Sequence, residues 1–244
     1  MTGLPVLEIA VQDAAGARTA FAAGADRVEL CQALSATGGL TPSAGTIDAV
    51  LAAAGAPERL AVLVRPRTGG FVYDDEEIAL VTADVTETVR RGAGAVVVGA
   101  LDRDGRIDRR ALDAWKRAAG AAEFVFHRAI DTLVDPAAVI DELVDCGVDR
   151  ILTSGGAARS IDGAGVLADL VAAASGRLQI MAGGGVRVED IPALLSRGVD
   201  AVHLSAKRSS ADAAPSGPGG GEAGYDVTDG ALVGRAVAAL HADR

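Results

Sequence analysis

The chain has 244 residues, half of them hydrophobic, and its formal net charge at pH 7 is −10. This length and composition are typical of one globular domain with a sizeable core, so we expect a single domain over residues 1–244. The negative charge disfavours nucleic acids and anionic membranes as partners, and no apolar run is long enough to span a membrane. Because the N-terminus lacks a basic and then apolar signal segment, we expect a cytoplasmic protein.

Four helix-like stretches end in glycine and run directly into a short apolar stretch. Glycine adopts the left-handed conformation that often ends a helix, and a continuous apolar run is typical of a strand buried on both faces of a parallel sheet. The four predicted junctions with their strands cover residues 24–30, 92–98, 147–152 and 198–203.

Four more apolar stretches between these junctions have the length of buried strands. They cover residues 6–11, 60–65, 123–128 and 178–182. Each of the eight predicted strands is followed by a helical stretch. This alternation predicts an α/β fold, an eight-stranded parallel β/α (TIM) barrel.

A barrel of this kind indicates where functional residues lie. Barrel enzymes build their sites from the C-terminal ends of the strands and the loops after them, whereas the helix-to-strand junctions serve stability. Asp26, Asp149 and Asp200 lie in such junctions, so we interpret them as turn and cap residues.

One segment departs from the alternation. Residues 207–224 are rich in glycine, proline and serine and contain almost no apolar side chains. This composition predicts a disordered connection from the eighth strand to a last helix over residues 227–242. Because the segment leaves from the functional end of the predicted barrel, a lid over the site is the alternative.

Polar residues suited to acid–base chemistry and anion binding stand at the predicted strand ends. The candidate catalytic residues are Glu8, Glu29, His127, Asp131 and His203. The candidate binding residues are Arg65, Arg128, Thr153, Ser154 and Ser205. Carboxylates and imidazoles move protons and guanidinium groups bind anions, so we expect a site for a small anionic molecule. The alternative is that these residues form buried ion pairs inside the barrel, with His127 as a structural histidine.

Three glycines, Gly183, Gly184 and Gly185, follow the seventh strand and precede a predicted helix near Pro192. Successive glycines let backbone amides approach a phosphate, and many barrels hold phosphorylated substrates at this place. The eighth strand is followed by residues 205–207, Ser-Ala-Lys, rather than by a second glycine turn. A glycine turn required only for tight geometry is therefore the alternative.

A Schiff-base aldolase needs a desolvated lysine that points into the barrel. The lysines of the chain are Lys116, within a predicted helix, and Lys207, just beyond the eighth strand. The sequence therefore argues against that chemistry. Lyase or isomerase chemistry on a small anionic or phosphorylated metabolite is the enzyme hypothesis that remains.

Several distinctive short stretches lie in a fixed order between residue 7 and about residue 206. They include Gly24-Ala25-Asp26-Arg27-Val28-Glu29-Leu30-Cys31, Arg65-Pro66-Arg67, Phe126-His127-Arg128-Ala129, Met181-Ala182-Gly183-Gly184-Gly185-Val186 and His203-Leu204-Ser205-Ala206. In this order they resemble the copper homeostasis protein CutC family. The resemblance implies a cytoplasmic barrel protein with a role in copper tolerance, in a family whose biochemical activity is not established.

Two places depart from the pattern of that family. After Arg67 the family commonly has Gly-Gly-Asp-Phe-Cys-Tyr, whereas residues 68–73 read Thr-Gly-Gly-Phe-Val-Tyr, so a thiol is absent. Thr37 stands where the family usually has a glutamate before Gly38.

Copper is the metal that the resemblance implies, with binding usually inferred from cysteine. Cu(I) prefers thiolate and thioether ligands, so Cys31 is the candidate metal ligand, with Met181 and either His127 or His203 as further donors. The alternative is that Cys31 is a packing residue. Cys146, the other cysteine, is predicted on the opposite rim, so we expect no disulfide.

The sequence therefore leaves two hypotheses about the function of the protein. One is a protein that binds or handles a copper ion, and the other is an enzyme for a small anionic metabolite. Assembly into a homo-oligomer is left open by the sequence.

Overall fold

The computed structural model of the chain describes residues 4–210 and 224–242. Eight parallel strands close into a barrel in chain order, which confirms the predicted β/α barrel. The strands are β1 (Val6–Val11), β2 (Arg27–Leu30), β3 (Leu60–Leu63), β4 (Ala95–Val98), β5 (Glu123–Phe126), β6 (Arg150–Thr153), β7 (Gln179–Gly183) and β8 (Ala201–Leu204).

Helices connect the strands and cover the outside of the barrel. Those in the described residues are α1 (Ala14–Ala22), α2 (Leu34–Thr37), α3 (Ala44–Ala54), α4 (Asp75–Arg90), α5 (Arg109–Ala119), α6 (Ile140–Asp145), α7 (Ala164–Ala174), α8 (Ile191–Leu195) and α9 (Gly230–Leu240). Short 3-10 helices cover Pro57–Arg59, Arg128–Thr132, Ala137–Val139 and Val188–Asp190. Within the two described ranges, no helix is long and apolar enough to cross a membrane. Cys31 and Cys146 are both free, as predicted.

The side chains of each strand alternate between two kinds of core. Outward-facing residues such as Leu7 and Ile9 pack against the helices in one large cluster. Inward-facing residues form two smaller clusters, one around Leu63 and Val97 and the other around Met181. Polar inward-facing residues at the C-terminal ends of the strands are therefore left to face the mouth of the barrel.

Two strands end earlier than predicted. β3 ends at Leu63 rather than at residue 65, because the backbone amide of Arg65 donates to Oγ1 of Thr41 instead of to a neighbouring strand. β5 ends at Phe126 rather than at residue 128, because the chain turns at His127 into a 3-10 helix. Arg65 and His127 thus stand just beyond their strands, at the mouth.

The segment after β8 differs from the predicted disordered connection. Lys207–Ser209 forms a strand, β9, which pairs antiparallel with β10 (Asp226–Thr228). The carboxylate of Asp226 accepts hydrogen bonds from Nζ of Lys207 at 2.6 Å and from the hydroxyl of Ser35, which ties the pair to α2. The last helix therefore begins at Gly230 rather than at residue 227. Residues 211–223 of the predicted segment lie outside the described residues, and the lid hypothesis stays a prediction.

The aspartates of three helix-to-strand junctions contact the neighbouring strand in the same way. A carboxylate oxygen of each accepts a hydrogen bond from one backbone amide, and the backbone amide of the aspartate donates to the carbonyl of that same residue. The pairs are Asp26 with Leu7, Asp149 with Phe124 and Asp200 with Ile180, each with a carboxylate-to-amide distance of 2.8 Å. These contacts fix the register of adjacent strands at the end of the barrel away from the mouth, where turn residues were predicted.

Replacing Asp200 by alanine should lower the free energy of unfolding by about 1 to 3 kcal/mol, because the amide of the buried residue Ile180 loses its acceptor. Denaturant unfolding monitored by circular dichroism measures the change. Asp113→Ala is the control, because it removes an exposed carboxylate from α5 and should change the free energy by less than about 0.5 kcal/mol. Equal changes in the two variants would contradict the role assigned to Asp200.

Candidate functional site

A cavity of about 390 Å³ opens at the C-terminal ends of the strands. We name it the mouth cavity. Its lining includes eight residues that were predicted as site residues from the sequence: Glu29, Arg65, His127, Arg128, Gly184, Gly185, His203 and Ser205. The remaining predicted residues do not line the cavity: Glu8, Cys31, Asp131, Thr153, Ser154 and Gly183. The structure therefore separates residues that can touch a ligand from residues that lie behind them.

His203 lies between two glutamates. Glu8 stands directly opposite His203 in the pairing of β1 with β8, and its Oε1 is 2.8 Å from Nδ1 of the imidazole. Oε2 of Glu29 is 3.7 Å from Nε2 on the other side of the ring. Glu8 is fully buried, whereas Glu29 and His203 both line the mouth cavity. A ligand in the cavity can therefore meet Glu29 and the Nε2 side of the imidazole, but not Glu8.

Glu8 carries a negative charge inside the barrel. Burial alone would raise its pKa, but Arg27, whose Nε lies 2.6 Å from Oε2 of Glu8, and His203 lower the pKa to about 2. Burial has the opposite effect on a histidine and, acting alone, would lower the pKa of His203. The hydrogen bond that His203 donates to Glu8 and the charges of Glu29 and Glu8 outweigh burial and raise the pKa of His203 above its ordinary value.

Glu29 has the protonation behaviour of an acid–base group. Desolvation and the charge of Glu8 raise the pKa of Glu29 to about 7, although the charge of His203 acts to lower it. A carboxyl group with this pKa is present in both protonation states near neutral pH, so it can donate or accept a proton. Glu29 and His203 are therefore two titratable groups on the wall of one cavity.

His127 is a neutral part of the same wall. Desolvation, together with the charge of Arg65, lowers the pKa of His127 to about 3. Its Nδ1 accepts a hydrogen bond from the backbone amide of Ala129 at 3.2 Å, and its ring centroid lies 4.8 Å from that of Phe71. Since Nδ1 accepts, Nε2 carries the proton and can donate a hydrogen bond to a ligand.

Arg65 brings a positive charge to the cavity. Its Nη1 donates to the carbonyls of Thr37 at 3.1 Å and Gly39 at 3.2 Å, and its Nη2 donates to the carbonyl of Gly69 at 2.8 Å. The residue is only 8% exposed, and no carboxylate of the described residues pairs with it. Neutral carbonyls therefore hold this guanidinium in place without neutralising its charge.

Asp131 holds Arg128 against the cavity wall. Its carboxylate accepts hydrogen bonds from Nε of Arg128 at 2.7 Å, from the hydroxyls of Thr153 at 2.5 Å and Ser154 at 2.9 Å, and from the amide of Gly156 at 3.1 Å. Nη2 of Arg128 also donates to the hydroxyl of Ser154 at 3.0 Å. Asp131, Thr153 and Ser154 thus form the support for Arg128, which itself lines the cavity.

The glycines after β7 let the backbone pass close to this support. Gly184 has a φ of 115°, and a Cβ atom there would lie 2.9 Å from Cζ of Arg128. Among the described residues, the backbone amides of residues 184–186 have no backbone acceptor. The first amides of α9 are taken by the carboxylate of Asp229, so the loop after β7 rather than the last helix offers donors to an anion.

Cys31 does not have the surroundings of a copper ligand. It faces the interior within the apolar cluster around Leu63, its Sγ donates to the carbonyl of Val11 at 3.8 Å, and burial raises the pKa of the thiol. Met181 belongs to the other inward-facing cluster, where its Sδ lies 3.9 Å from Nη1 of Arg150. The described part of the chain has no group of three or more His, Cys, Asp or Glu side chains placed to hold a metal ion. A protonated, enclosed thiol and a thioether in another cluster do not fit Cu(I).

Arg27, Glu123 and Arg150 form a chain of ion pairs with Glu8 behind the site, and none of these three residues was predicted from the sequence. Arg27 contacts both Glu8 and Glu123, and Nε of Arg150 lies 3.0 Å from Oε1 of Glu123. The signal that could have found it is spacing, since Arg27 lies two residues before Glu29 and therefore faces the same side of β2. Glu8 thus belongs to the ion pairs that the sequence left as the alternative to a site.

The chain is similar to known proteins over most of its length. The sequence profile of the CutC family matches residues 5–208. A CutC family protein of Xanthomonas axonopodis pv. citri (strain 306) is 42% identical over 240 residues, which cover 96% of this chain and 98% of that protein. A solved structure, described as a candidate copper homeostasis protein CutC from Streptococcus agalactiae, is 31% identical with a TM-score of 0.77 and covers 82% of this chain and 98% of that chain.

Barrels with other names share the fold at much lower identity. Phosphoribosyl anthranilate isomerase from Thermus thermophilus is 15% identical with a TM-score of 0.59, and the match covers 98% of this chain and all of that chain. A likeness at this identity concerns the fold alone. The profile match over most of the chain and the identity to the Xanthomonas protein show that the chain belongs to the CutC family.

Proposed function

We propose that the protein is an enzyme that binds a small anionic metabolite in the mouth cavity and transfers a proton on it, as lyases and isomerases do. One observation carries the proposal. Glu29 and His203 lie 3.7 Å apart on the wall of a cavity that also contains Arg65, whose charge no described carboxylate neutralises. An anion drawn to Arg65 would lie beside an acid–base pair.

The charge balance of the cavity supports an anionic ligand. Arg128 is paired with Asp131 at 2.7 Å, and Lys207 is paired with Asp226 at 2.6 Å, so both of these cations already have a counter-ion. Arg65 has none among the described residues. A charge in a poorly hydrated wall attracts an opposite charge more strongly than the same charge in water. The free amides after β7 add neutral donors for the same ligand.

Glu29 and His203 supply the proton transfer. An ionised Glu29 can remove a proton from the bound metabolite, and a protonated His203 can deliver a proton from Nε2 to the charge that develops on it. Arg65 favours this developing negative charge because its guanidinium is fixed before the reaction begins. The neutral His127 can add a hydrogen bond from Nε2.

The positions of the lysines support proton transfer without a Schiff base. Lys207 is exposed and paired with Asp226, and Lys116 lies in α5 with its Nζ 3.4 Å from Asp149. A Schiff-base lysine requires a desolvated amine next to the substrate. Neither lysine has that environment.

Sulfate tests the anion site, because its charge is constant near neutral pH. Arg65→Gln should weaken sulfate binding about tenfold to a hundredfold, since a charge-assisted hydrogen bond contributes about 1.5 to 3 kcal/mol. Calorimetric titration measures the dissociation constants. Arg65→Lys, which keeps the charge but not the planar donor group, should bind with intermediate affinity.

Arg187→Gln is the matched control for this titration. Arg187 is an exposed arginine on the same rim that does not line the mouth cavity, so its loss should change the affinity by less than about threefold. Unfolding midpoints show whether each variant is folded at the titration temperature. An equal loss of affinity in the folded Arg65 and Arg187 variants would contradict a specific site at Arg65.

Exchange of carbon-bound hydrogen with D2O tests the reaction class. The protein is incubated in D2O with a panel of keto acids and sugar phosphates, and proton NMR follows the loss of signal next to the carbonyl group. Glu29→Gln and His203→Gln should each slow the exchange about a hundredfold to ten-thousandfold, as expected for general acid–base groups. His241→Gln removes the exposed histidine after α9 and should leave the rate unchanged. Exchange no faster than in buffer across the panel would overturn the proton-transfer assignment.

Copper handling is the second candidate function, and membership of the CutC family is the observation that favours it. The Streptococcus protein is described as a candidate copper homeostasis protein. For this chain we propose that Cys31 is not the copper ligand, because its thiol is buried among apolar side chains and bonded to a backbone carbonyl.

Cys31→Ser should therefore bind Cu(I) with the same stoichiometry and affinity as the unchanged protein when titrated against a coloured competing chelator. Cys146→Ser is the control, because it removes the other free and buried cysteine. A stoichiometric site that disappears in the Cys31 variant alone would identify Cys31 as a ligand and refute this assignment.

A further inference from the structure

We infer that Glu8 is a positioning residue that keeps a proton on Nδ1 of His203 and so makes Nε2 the nitrogen that exchanges protons with the mouth cavity. The inference rests on the proposed function, since it assigns the group that prepares His203 for proton transfer. Glu8 itself does not line the cavity and cannot contact a ligand there.

The contact geometry supports a positioning role. Oε1 of Glu8 lies 2.8 Å from Nδ1 of His203, and Glu8 has no exposed surface and does not line the cavity. Its other oxygen, Oε2, lies 2.6 Å from Nε of Arg27. Both oxygens of Glu8 therefore have partners within the barrel, and the carboxylate cannot turn toward a ligand without losing one of them.

The charge of Glu8 decides which nitrogen of His203 carries the proton. An ionised carboxylate has no hydrogen to donate, so it can only accept a hydrogen bond. The nitrogen that faces it must then be the donor, in the neutral imidazole as well as in the imidazolium. Arg27 keeps Glu8 ionised, because protonation of the carboxylate would leave the buried guanidinium with only Glu123 as a partner.

The charged groups around His203 come from two strands. Glu8 faces the ring from β1, and Glu29 and Arg27 act on it from β2. β7, on the other side of β8, places Gly183 opposite His203 and adds no charge. With Nδ1 held by Glu8, the neutral ring presents the lone pair of Nε2 toward Glu29, and protonation of His203 occurs on that side.

The arrangement gives Glu8 and Glu29 different tasks although both contact the same imidazole. Glu29 lines the cavity and its pKa of about 7 lets it exchange protons, whereas the pKa of Glu8 is lowered to about 2 by Arg27 and His203 against the effect of burial. Glu8 therefore orients the ring and holds its charge, and Glu29 takes part in proton exchange.

Nitrogen NMR of protein labelled with ¹⁵N-histidine tests the inference without a ligand. The signals of His203 are identified by their loss in His203→Gln and followed as pH is raised until the ring is neutral. We expect Nδ1 to be protonated and Nε2 unprotonated in the neutral ring. A neutral ring with its proton on Nε2 would overturn the inference, and this reading needs no variant of Glu8.

Glu8→Gln provides the second measurement, because it removes the negative charge and keeps the shape of the side chain. The pKa of His203 should fall by about one to three units, the usual effect of removing an opposite charge at contact distance. Glu123→Gln is the matched control, because Glu123 contacts Arg27 but not His203, and it should leave the proton on Nδ1. An unchanged pKa of His203 in a folded Glu8→Gln protein would also overturn the inference.

The two proposals fail in different experiments. If no compound exchanges hydrogen with D2O while Nδ1 of His203 is protonated, the proposed reaction is wrong and the role of Glu8 in setting the tautomer stands. If exchange occurs and depends on His203 while the proton is found on Nε2, the reaction stands and the role of Glu8 is wrong.

Discussion

The ion pair between Glu8 and Arg27 is the contact on which both the interior and the mouth of the barrel depend. Transfer of two charges from water to a protein interior costs several kcal/mol per ion, and the cost is offset only where each charge has well-placed partners. Glu8 has Arg27 and His203, and Arg27 has Glu8 and Glu123. Removal of Arg27 would leave the fully buried carboxylate of Glu8 with only His203 as a partner, so the interior depends on this ion pair.

The ion pairs and the groups that line the cavity lie at different levels along the strands. The aspartates at the helix-to-strand junctions fix the register of neighbouring strands at one end. The ion pairs connect Glu8 of β1 with Arg27, Glu123 and Arg150, which are the first residues of β2, β5 and β6, and the mouth cavity lies at the C-terminal ends of the strands. His203 is the residue that joins the last two levels, since it contacts the buried Glu8 and also lines the cavity. The buried Glu8 can therefore influence the charge of His203 in the cavity without contacting a ligand.

Much of this could be predicted from the sequence, because glycine junctions and continuous apolar runs are local signals. They predicted all eight strands and the turn role of Asp200, and the strand ends predicted Glu29, Arg65 and His203 as residues of the mouth. The division between cavity residues and supporting residues could not be predicted. Whether Glu8 meets Arg27 or a ligand depends on the stagger between β1 and β2, and a single strand pattern does not contain that stagger.

The early end of β3 and the pairing of β9 with β10 could not be predicted from the sequence either. Each depends on a partner distant in the chain: the hydroxyl of Thr41 for Arg65, and the carboxylate of Asp226 for Lys207. Asp226 lies close to a glycine-rich stretch that offers no periodic pattern, so composition alone predicted disorder up to residue 224.

The three carbonyls that hold Arg65 have a consequence for how the site behaves in a crowded ionic solution. Mobile ions screen exposed charges over roughly 10 Å at moderate salt, but they screen a buried charge much less. Under the proposed function, the guanidinium of Arg65, a residue that is 8% exposed, would keep its attraction for an anion as ionic strength rises, and salt anions would weaken binding mainly by entering the cavity themselves. Because the side chain is already immobilised, a bound anion also does not have to restrict its rotamers, which favours tight binding of small and rigid ligands.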